Sequence, residues 1–236
     1  MVTRTSLRRR ALWMSGLALV IVFIIWNVPQ LNVLMFPFRL FVTFVHEAGH
    51  GLAAILSGGR FISFTINANG SGFATTAGGN PALILPAGYL SAALFGAILF
   101  YLAHRVPYPR HISLVLGALV MVIAVAFGGL LSLATLFGAA IGLALIVLGL
   151  KGSYDANLLT LNLLAVLTGL NGVLDLLYLV GSSHATVGRV RNDALAFQQE
   201  VMPLVPAPVW AFIWAALALI ILGIAVYYSI IHPWRR

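Results

Sequence analysis

Residues 34–57 read LMFPFRLFVTFVHEAGHGLAAILS, an apolar run long enough to cross about 30 Å of bilayer hydrocarbon as a helix. His46, Glu47 and His50 are set into it. Ionisable groups at such a depth cost about 2.5–3.5 kcal/mol each on insertion scales, so three within one helical turn call for a compensating interaction. The four-residue spacing places both imidazoles on one helix face, where they can share one Zn²⁺. Glu47 completes the H-E-x-x-H pattern and lies beside them as general base for a metal-activated water.

The rest of the chain is equally apolar. Of its 236 residues 61% are hydrophobic and 8% charged, and its mean hydropathy is +1.05. A water-facing surface needs more charge than that, so the lipid bilayer is the expected solvent. Breaks at proline, glycine and charged clusters divide the sequence into spans near 11–29, 34–57, 81–103, 112–129, 131–150, 158–181 and 207–231. Gly128-Gly129 joins the fourth and fifth closely, as neighbours or as one kinked unit. Between the second and third spans, Phe61 to Ile66 alternates, Asn67-Ala68-Asn69-Gly70-Ser71-Gly72 supplies turn chemistry, and Phe73 to Thr76 returns. The fold class expected is an all-α polytopic membrane protein of about six or seven transmembrane helices, with a short membrane-associated β-hairpin near 61–76. Residues 1–236 then form one integral membrane domain.

The net charge of +8 does not gather on a face that could track a phosphate backbone, which argues against nucleic acid as a partner. Arg4, Arg8, Arg9 and Arg10 precede the first span, which reads as a retained signal anchor and, by the positive-inside rule, places the N-terminus in the cytoplasm. Strict alternation then runs the second and sixth spans inward and puts His46, His50 and the hairpin towards the cytoplasm. Arg60, Arg189 and Arg191 would share that side, with Arg105, Arg110 and Lys151 opposite. Trp13, Trp26, Tyr101, Trp210 and Trp234 fall near span ends, as an aromatic belt does. With no cysteine, a transition-metal site must use His, Asp or Glu. A compact chain of this composition suits a bacterial inner membrane.

A catalytic zinc normally takes three protein ligands and keeps one position open. The acidic residues are Glu47, Asp155, Asp175, Asp193 and Glu200. Asp175 lies deep in an apolar run, behind Thr168 and Asn171 at one-turn spacings, which makes it the favoured third ligand. Asn171 is placed to orient that carboxylate or to polarise a substrate carbonyl. Asp155 and Asp193 read as loop residues, and His184 as a surface one. Glu200, in the polar stretch from Asn192, is the alternative ligand. That stretch also reads as a short helix capped by Asn192 or Asp193. Asn67 and Asn69, with Ser71 and Asn171, are candidates to line a polar path for water.

H-E-x-x-H in a membrane helix, a hairpin after it and a distant Leu174-Asp175 resemble the site-2 protease family of intramembrane zinc metalloproteases. His46-Glu47-Ala48-Gly49-His50, Pro86-Ala87-Gly88-Tyr89-Leu90, Asn171 to Leu176 and Asn192-Asp193-Ala194 look like its compact bacterial branch without PDZ domains. The resemblance, over Phe41 to Trp214, implies a zinc protease acting on transmembrane protein or peptide substrates. In it His46, His50 and Asp175 are ligands, Glu47 is the acid/base, and the hairpin receives unwound substrate as an added strand. Leu176 stands where the family usually has Gly, and its Asn-x-x-Pro-x-Pro run is absent. The competing reading is a non-proteolytic metal-binding protein or transporter using the same ligands, for which an acid between the histidines has no purpose.

Overall fold

The structure, a computed structural model, describes residues 4–182 and 192–232. His184, Arg189, Arg191 and Trp234 lie outside the described residues. Helix α1 spans Arg4–Asn27, and a short 3-10 turn at Pro29–Leu31 leads into α2, Asn32–Leu56. The hairpin strands are β1, Arg60–Ile66, and β2, Gly72–Ala77. Next come α3 (Pro81–Arg105), α4 (Pro109–Phe127), α5 (Leu133–Lys151), α6 (Tyr154–Ser182), the short α7 (Asp193–Glu200) and α8 (Ala207–Val226), which ends in a wider turn at Tyr227–Ile231. Among the described residues six helices are long and apolar enough to cross a membrane, and α2, which carries Arg39, His46, Glu47 and His50, is not one of them. The chain is an integral membrane protein of mainly helical build, as its composition requires.

Local chemistry fixes several helix starts. Asn80 caps α3 by accepting from the Ala82 N–H, with Pro81 at the first helical position. Ser132 does the same for α5 through Thr135, and Asn192 for α7 through Leu195. Gly128-Gly129 ends α4, Gly129 taking φ +80°, and α5 folds back along it with Gly117 against the Gly142 carbonyl. The fourth and fifth spans are therefore an antiparallel helix pair.

Helix α3 is the axis against which the others are placed. Phe41 meets Phe95, Ser91 donates to the Val45 carbonyl, and His50 meets the Ile84 carbonyl, so α2 runs antiparallel to α3. Gly96 abuts Ala165 and Gly169, and Gly172 approaches Tyr89 and Ala92, so α6 is antiparallel to α3 as well. The small residues of α3 therefore serve two neighbours: Gly88 faces α2, whereas Gly96 faces α6. At the far end of α3, Ser15 of α1 donates to Asn162 Oδ1 (2.7 Å) and lies 3.0 Å from His104 Nε2. Arg10 reaches Asp155 at 3.8 Å.

These contacts correct the expected alternation. α1 starts beside the start of α6, and Val22 shares a cluster with Met35, Val166 and Leu167, so α1, α2 and α6 run in the same sense. From Ile84 to His104 is about 30 Å of helix, roughly the hydrocarbon thickness. The start of α1 and the hairpin therefore lie at opposite ends of the bundle.

The hairpin forms where the turn chemistry placed it. β1 and β2 pair antiparallel from Arg60↔Ala77 to Ile66↔Gly72, with one irregularity between Phe61 and Ser63. Gly70 takes φ +88°, and Asn69 Oδ1 accepts from the Ser71 N–H. Phe64, fully buried, packs edge-on against Phe44 of α2, while Phe61 lies over Gly51 and stacks on Phe127 at 4.3 Å. This clamps the hairpin across the C-terminal half of α2.

A Cβ at Gly96 would lie 2.7 Å from the Ala165 carbonyl and the Gly169 backbone, whereas nothing lies within 4 Å of one at Gly16. Overpacking of this kind typically costs 1–3 kcal/mol. Gly96→Val is expected to lower the thermal unfolding midpoint in detergent by several degrees and Gly16→Val to leave it nearly unchanged, as read by near-UV circular dichroism.

Candidate metal centre

One turn of α2 presents His46 and His50 to the first turns of α3. The His50 ring is buried, and its Nδ1 lies 2.7 Å from the Ile84 carbonyl, which has no hydrogen to give. Nδ1 therefore carries the proton, and a neutral His50 offers a bare lone pair at Nε2. That lone pair is aimed at two other electron-rich atoms. His46 Nε2 lies 3.0 Å away and Asp193 Oδ2 3.3 Å away. The third side of the triangle, His46 Nε2 to Asp193 Oδ2, is 3.1 Å.

Three donors this close repel unless positive charge lies among them. Ligands about 2.0–2.1 Å from a common centre at the tetrahedral angle are themselves about 3.3–3.4 Å apart, so the triangle has the size of a zinc coordination face. Two imidazoles and one carboxylate, with no thiolate, also suit a catalytic rather than a structural zinc. Among the described residues this is the group of His and acidic side chains able to hold a metal ion. Gly88 supplies the space: a Cβ there would overlap His46 Nε2 and stand 2.5 Å from His50 Nε2. The donor set and this glycine-lined cradle fit a zinc ion.

Asp193 is the first residue of α7, which Asn192 starts and whose Ala194 and Phe197 are buried among Trp214 and Ala211 of α8. Burial works against its charge, which positive charge held among the three atoms would offset. The third member of the group is thus Asp193, where Asp175 was expected. Asp175 instead lines the adjoining cavity, exposed to it, within electrostatic reach of His46 and Arg39. Hydropathy misplaced Asp193 because α7 is too short and polar to register as part of a membrane bundle; the Asn192-Asp193-Ala194 signature was its available signal. Glu200, at the other end of α7, lines the same cavity outside the triangle.

Glu47 is buried in the cavity wall with a backbone hydrogen bond from Ala74 of β2. Gly72 leaves room for it, since a Cβ there would lie 2.5 Å from Glu47 Oε1. Thr43, one turn earlier, donates to the Gly70 carbonyl at 2.6 Å and ties the hairpin turn to the same helix face. Tyr89, unremarked as a site residue in the sequence, packs its ring edge-on against His46 with 4.5 Å between centroids and also lines the cavity.

The cavity has a volume of about 770 Å³ and is walled by α2, the hairpin turn and β2, the start of α3, Asp175 of α6, and α7. Asn69 and Ser71 line it. Asn67 does not: it points to solvent and donates to Ser71 Oγ, holding the turn. Asn171 is half-buried away from the cavity lining, and its Nδ2 has no partner among the described residues.

The order of these parts along the chain matches a family model described as Peptidase M50B-like over residues 15–225. The chain belongs to this family. No curated protein and no solved structure matches it. Membership of the Peptidase M50B-like family agrees with the site-2 protease resemblance, with no PDZ domain indicated.

Two outcomes test the geometry. Gly88→Ala should place its methyl in the metal position, so bound zinc, measured by atomic emission on the purified protein, should fall to background while the helical circular dichroism signal stays unchanged. Asp193→Ala should lower zinc affinity at least tenfold and Asp175→Ala should leave it close to the parent value; the opposite order would return Asp175 to the ligand set.

Proposed function

We propose that the protein is an intramembrane zinc metalloprotease that hydrolyses peptide bonds of membrane-embedded protein substrates. The observation that carries this reading is the triangle of His46, His50 and Asp193 with the buried Glu47 beside it, at the wall of an open cavity in a membrane bundle. Membership of the Peptidase M50B-like family points the same way.

His46, His50 and Asp193 would hold the zinc, which when bound supplies Lewis-acid polarisation of a carbonyl and acidification of a water. The proton of that water goes to a carboxylate oxygen of Glu47, which then delivers it to the leaving amine. The Ala74 N–H keeps the carboxylate pointed into the cavity, and Tyr89 packs the His46 ring into its orientation. Burial of Glu47 removes competing water and lets one side chain serve as base and then acid.

Substrate shape follows from backbone chemistry. A transmembrane helix has its carbonyls tied in internal hydrogen bonds, and a segment must unwind before one of them can be attacked. β2 is paired on one side only, with β1, and Gly72, Ala74 and Thr76 line the cavity. An unwound segment laid along that edge gains backbone hydrogen bonds in place of those it loses.

Glu47→Gln keeps the size of the side chain and removes its basicity. It is expected to lower cleavage by about 10²–10⁴-fold with zinc content unchanged, as checked by comparing the membrane proteomes of cells carrying the parent and the variant. Equal proteomes, with zinc present in both and metal flux altered instead, would favour the transporter reading.

A further inference from the structure

We infer that Tyr89 is a further catalytic residue, whose hydroxyl donates a hydrogen bond to the oxygen of the scissile carbonyl as negative charge gathers there. The inference rests on the protease reading above for the reaction and on the geometry of the cavity for the residue.

The need for such a donor comes from the charge of the cavity. Of the chain's five acidic residues, Glu47, Asp175, Asp193 and Glu200 line it, and among the described residues no lysine or arginine does. Attack of water on a peptide carbonyl moves the π electron pair onto oxygen, and that oxygen then has carboxylates for neighbours. Such repulsion is strong in a medium of low dielectric. A preorganised O–H or N–H donor aimed at the oxygen offsets it.

Few side chains are able to supply one. Thr43 spends its hydroxyl on the Gly70 carbonyl, and Ser71 its own on Asn69 Oδ1. Asn69 sits at the exposed tip of the hairpin, and Asn192 caps α7. Thr76 lies two residues past Ala74 on β2, about 7 Å along the strand. Tyr89 is placed differently. Its ring lies 4.5 Å from that of His46 and lines the cavity, and its hydroxyl makes no hydrogen bond among the described residues. The phenol is within electrostatic reach of Asp193, Asp175 and Glu47 and is bonded to none of them.

The ring is also held. Besides His46 of α2, it packs on the buried cluster that contains Val173 and Leu176 of α6 and Ala194 and Phe197 of α7. Its backbone carbonyl lies against Gly172 of α6, where a Cβ would come within 3.3 Å. Tyr89 is therefore wedged among the elements that carry the histidines, Asp175 and Asp193, and its hydroxyl is positioned before substrate arrives. A phenylalanine would pack on His46 as well; the hydroxyl is what packing leaves without a purpose.

In the proposed step the water oxygen bonds to the carbonyl carbon and its proton passes to Glu47. Tyr89 keeps its own proton and shares it with the carbonyl oxygen. When the C–N bond breaks, its electron pair leaves on nitrogen, which takes the proton held by Glu47, and the carbonyl double bond reforms.

Tyr89→Phe removes one oxygen and keeps the ring. The full-length variant and the parent, zinc-loaded in detergent, are titrated calorimetrically with acetohydroxamate, which chelates zinc through its oxygens, and with ethanethiol, whose sulfur is a weak hydrogen-bond acceptor. The expected result is that Tyr89→Phe binds acetohydroxamate about tenfold more weakly or worse, with ethanethiol affinity and zinc content unchanged. On a substrate identified from the Glu47→Gln proteome comparison, kcat should fall about 10²–10³-fold with KM unchanged. Equal acetohydroxamate affinities or an unchanged kcat overturn the inference. Equal losses for both ligands also overturn it, because Tyr89 would then act only through its packing on His46. A parent that shows the acetohydroxamate difference yet cleaves nothing would keep the hydroxyl as a donor at the metal centre and overturn the protease reading, so the two failures give different results.

Discussion

Three electron-rich atoms from two distant parts of the chain converge to within 3.3 Å of one another inside a membrane protein. In a medium of low dielectric two ring nitrogens and a carboxylate meet favourably only where positive charge, a proton or a metal ion, lies among them. Much of the architecture follows from that constraint. Gly88 leaves the centre of the triangle vacant of protein, Ile84 orients His50, and Tyr89 packs against His46. α7 exists as a short helix held between α3 and α8 so that Asp193 can be brought to the ring nitrogens without a charged residue having to cross the bilayer.

The hairpin solves a second problem. Glu47 has to be buried enough to be basic and yet border the cavity where a peptide would lie. β2 supplies both, closing over the carboxylate at Gly72, hydrogen-bonding it through Ala74 and presenting its other residues to the opening. Phe61 and Phe64 fix the sheet to α2 and α4, so the strand edge and the metal-bearing helix move as one body. Rigid support of this kind is what a positioned acid/base requires.

The spacing of His46, Glu47 and His50, the apolar spans and the Asn69-Gly70 turn were legible because each is a local pattern with a direct physical cause. What the sequence did not disclose depends on contacts between distant segments. Asp175 looked like the ligand because depth in an apolar run is visible in sequence, whereas the return of α7 to the site is not. The shared direction of α1 and α2 was hidden for the same reason, since alternation is a counting rule and Ser15 meeting His104 and Asn162 is a packing fact. Gly88 carries no donor atom of its own, so its place beside the two ring nitrogens is visible only in the packing of α3 on α2.

The most direct measurement of the central claim is an experimental density map of the zinc-loaded protein recorded on both sides of the zinc absorption edge. The account predicts one anomalous peak about 2.0–2.2 Å from His46 Nε2, His50 Nε2 and an Asp193 carboxylate oxygen, with Asp175 beyond bonding distance. A peak bonded to Asp175 or Glu200 in place of Asp193, or the two histidines bare of metal in protein that contains zinc, would contradict it.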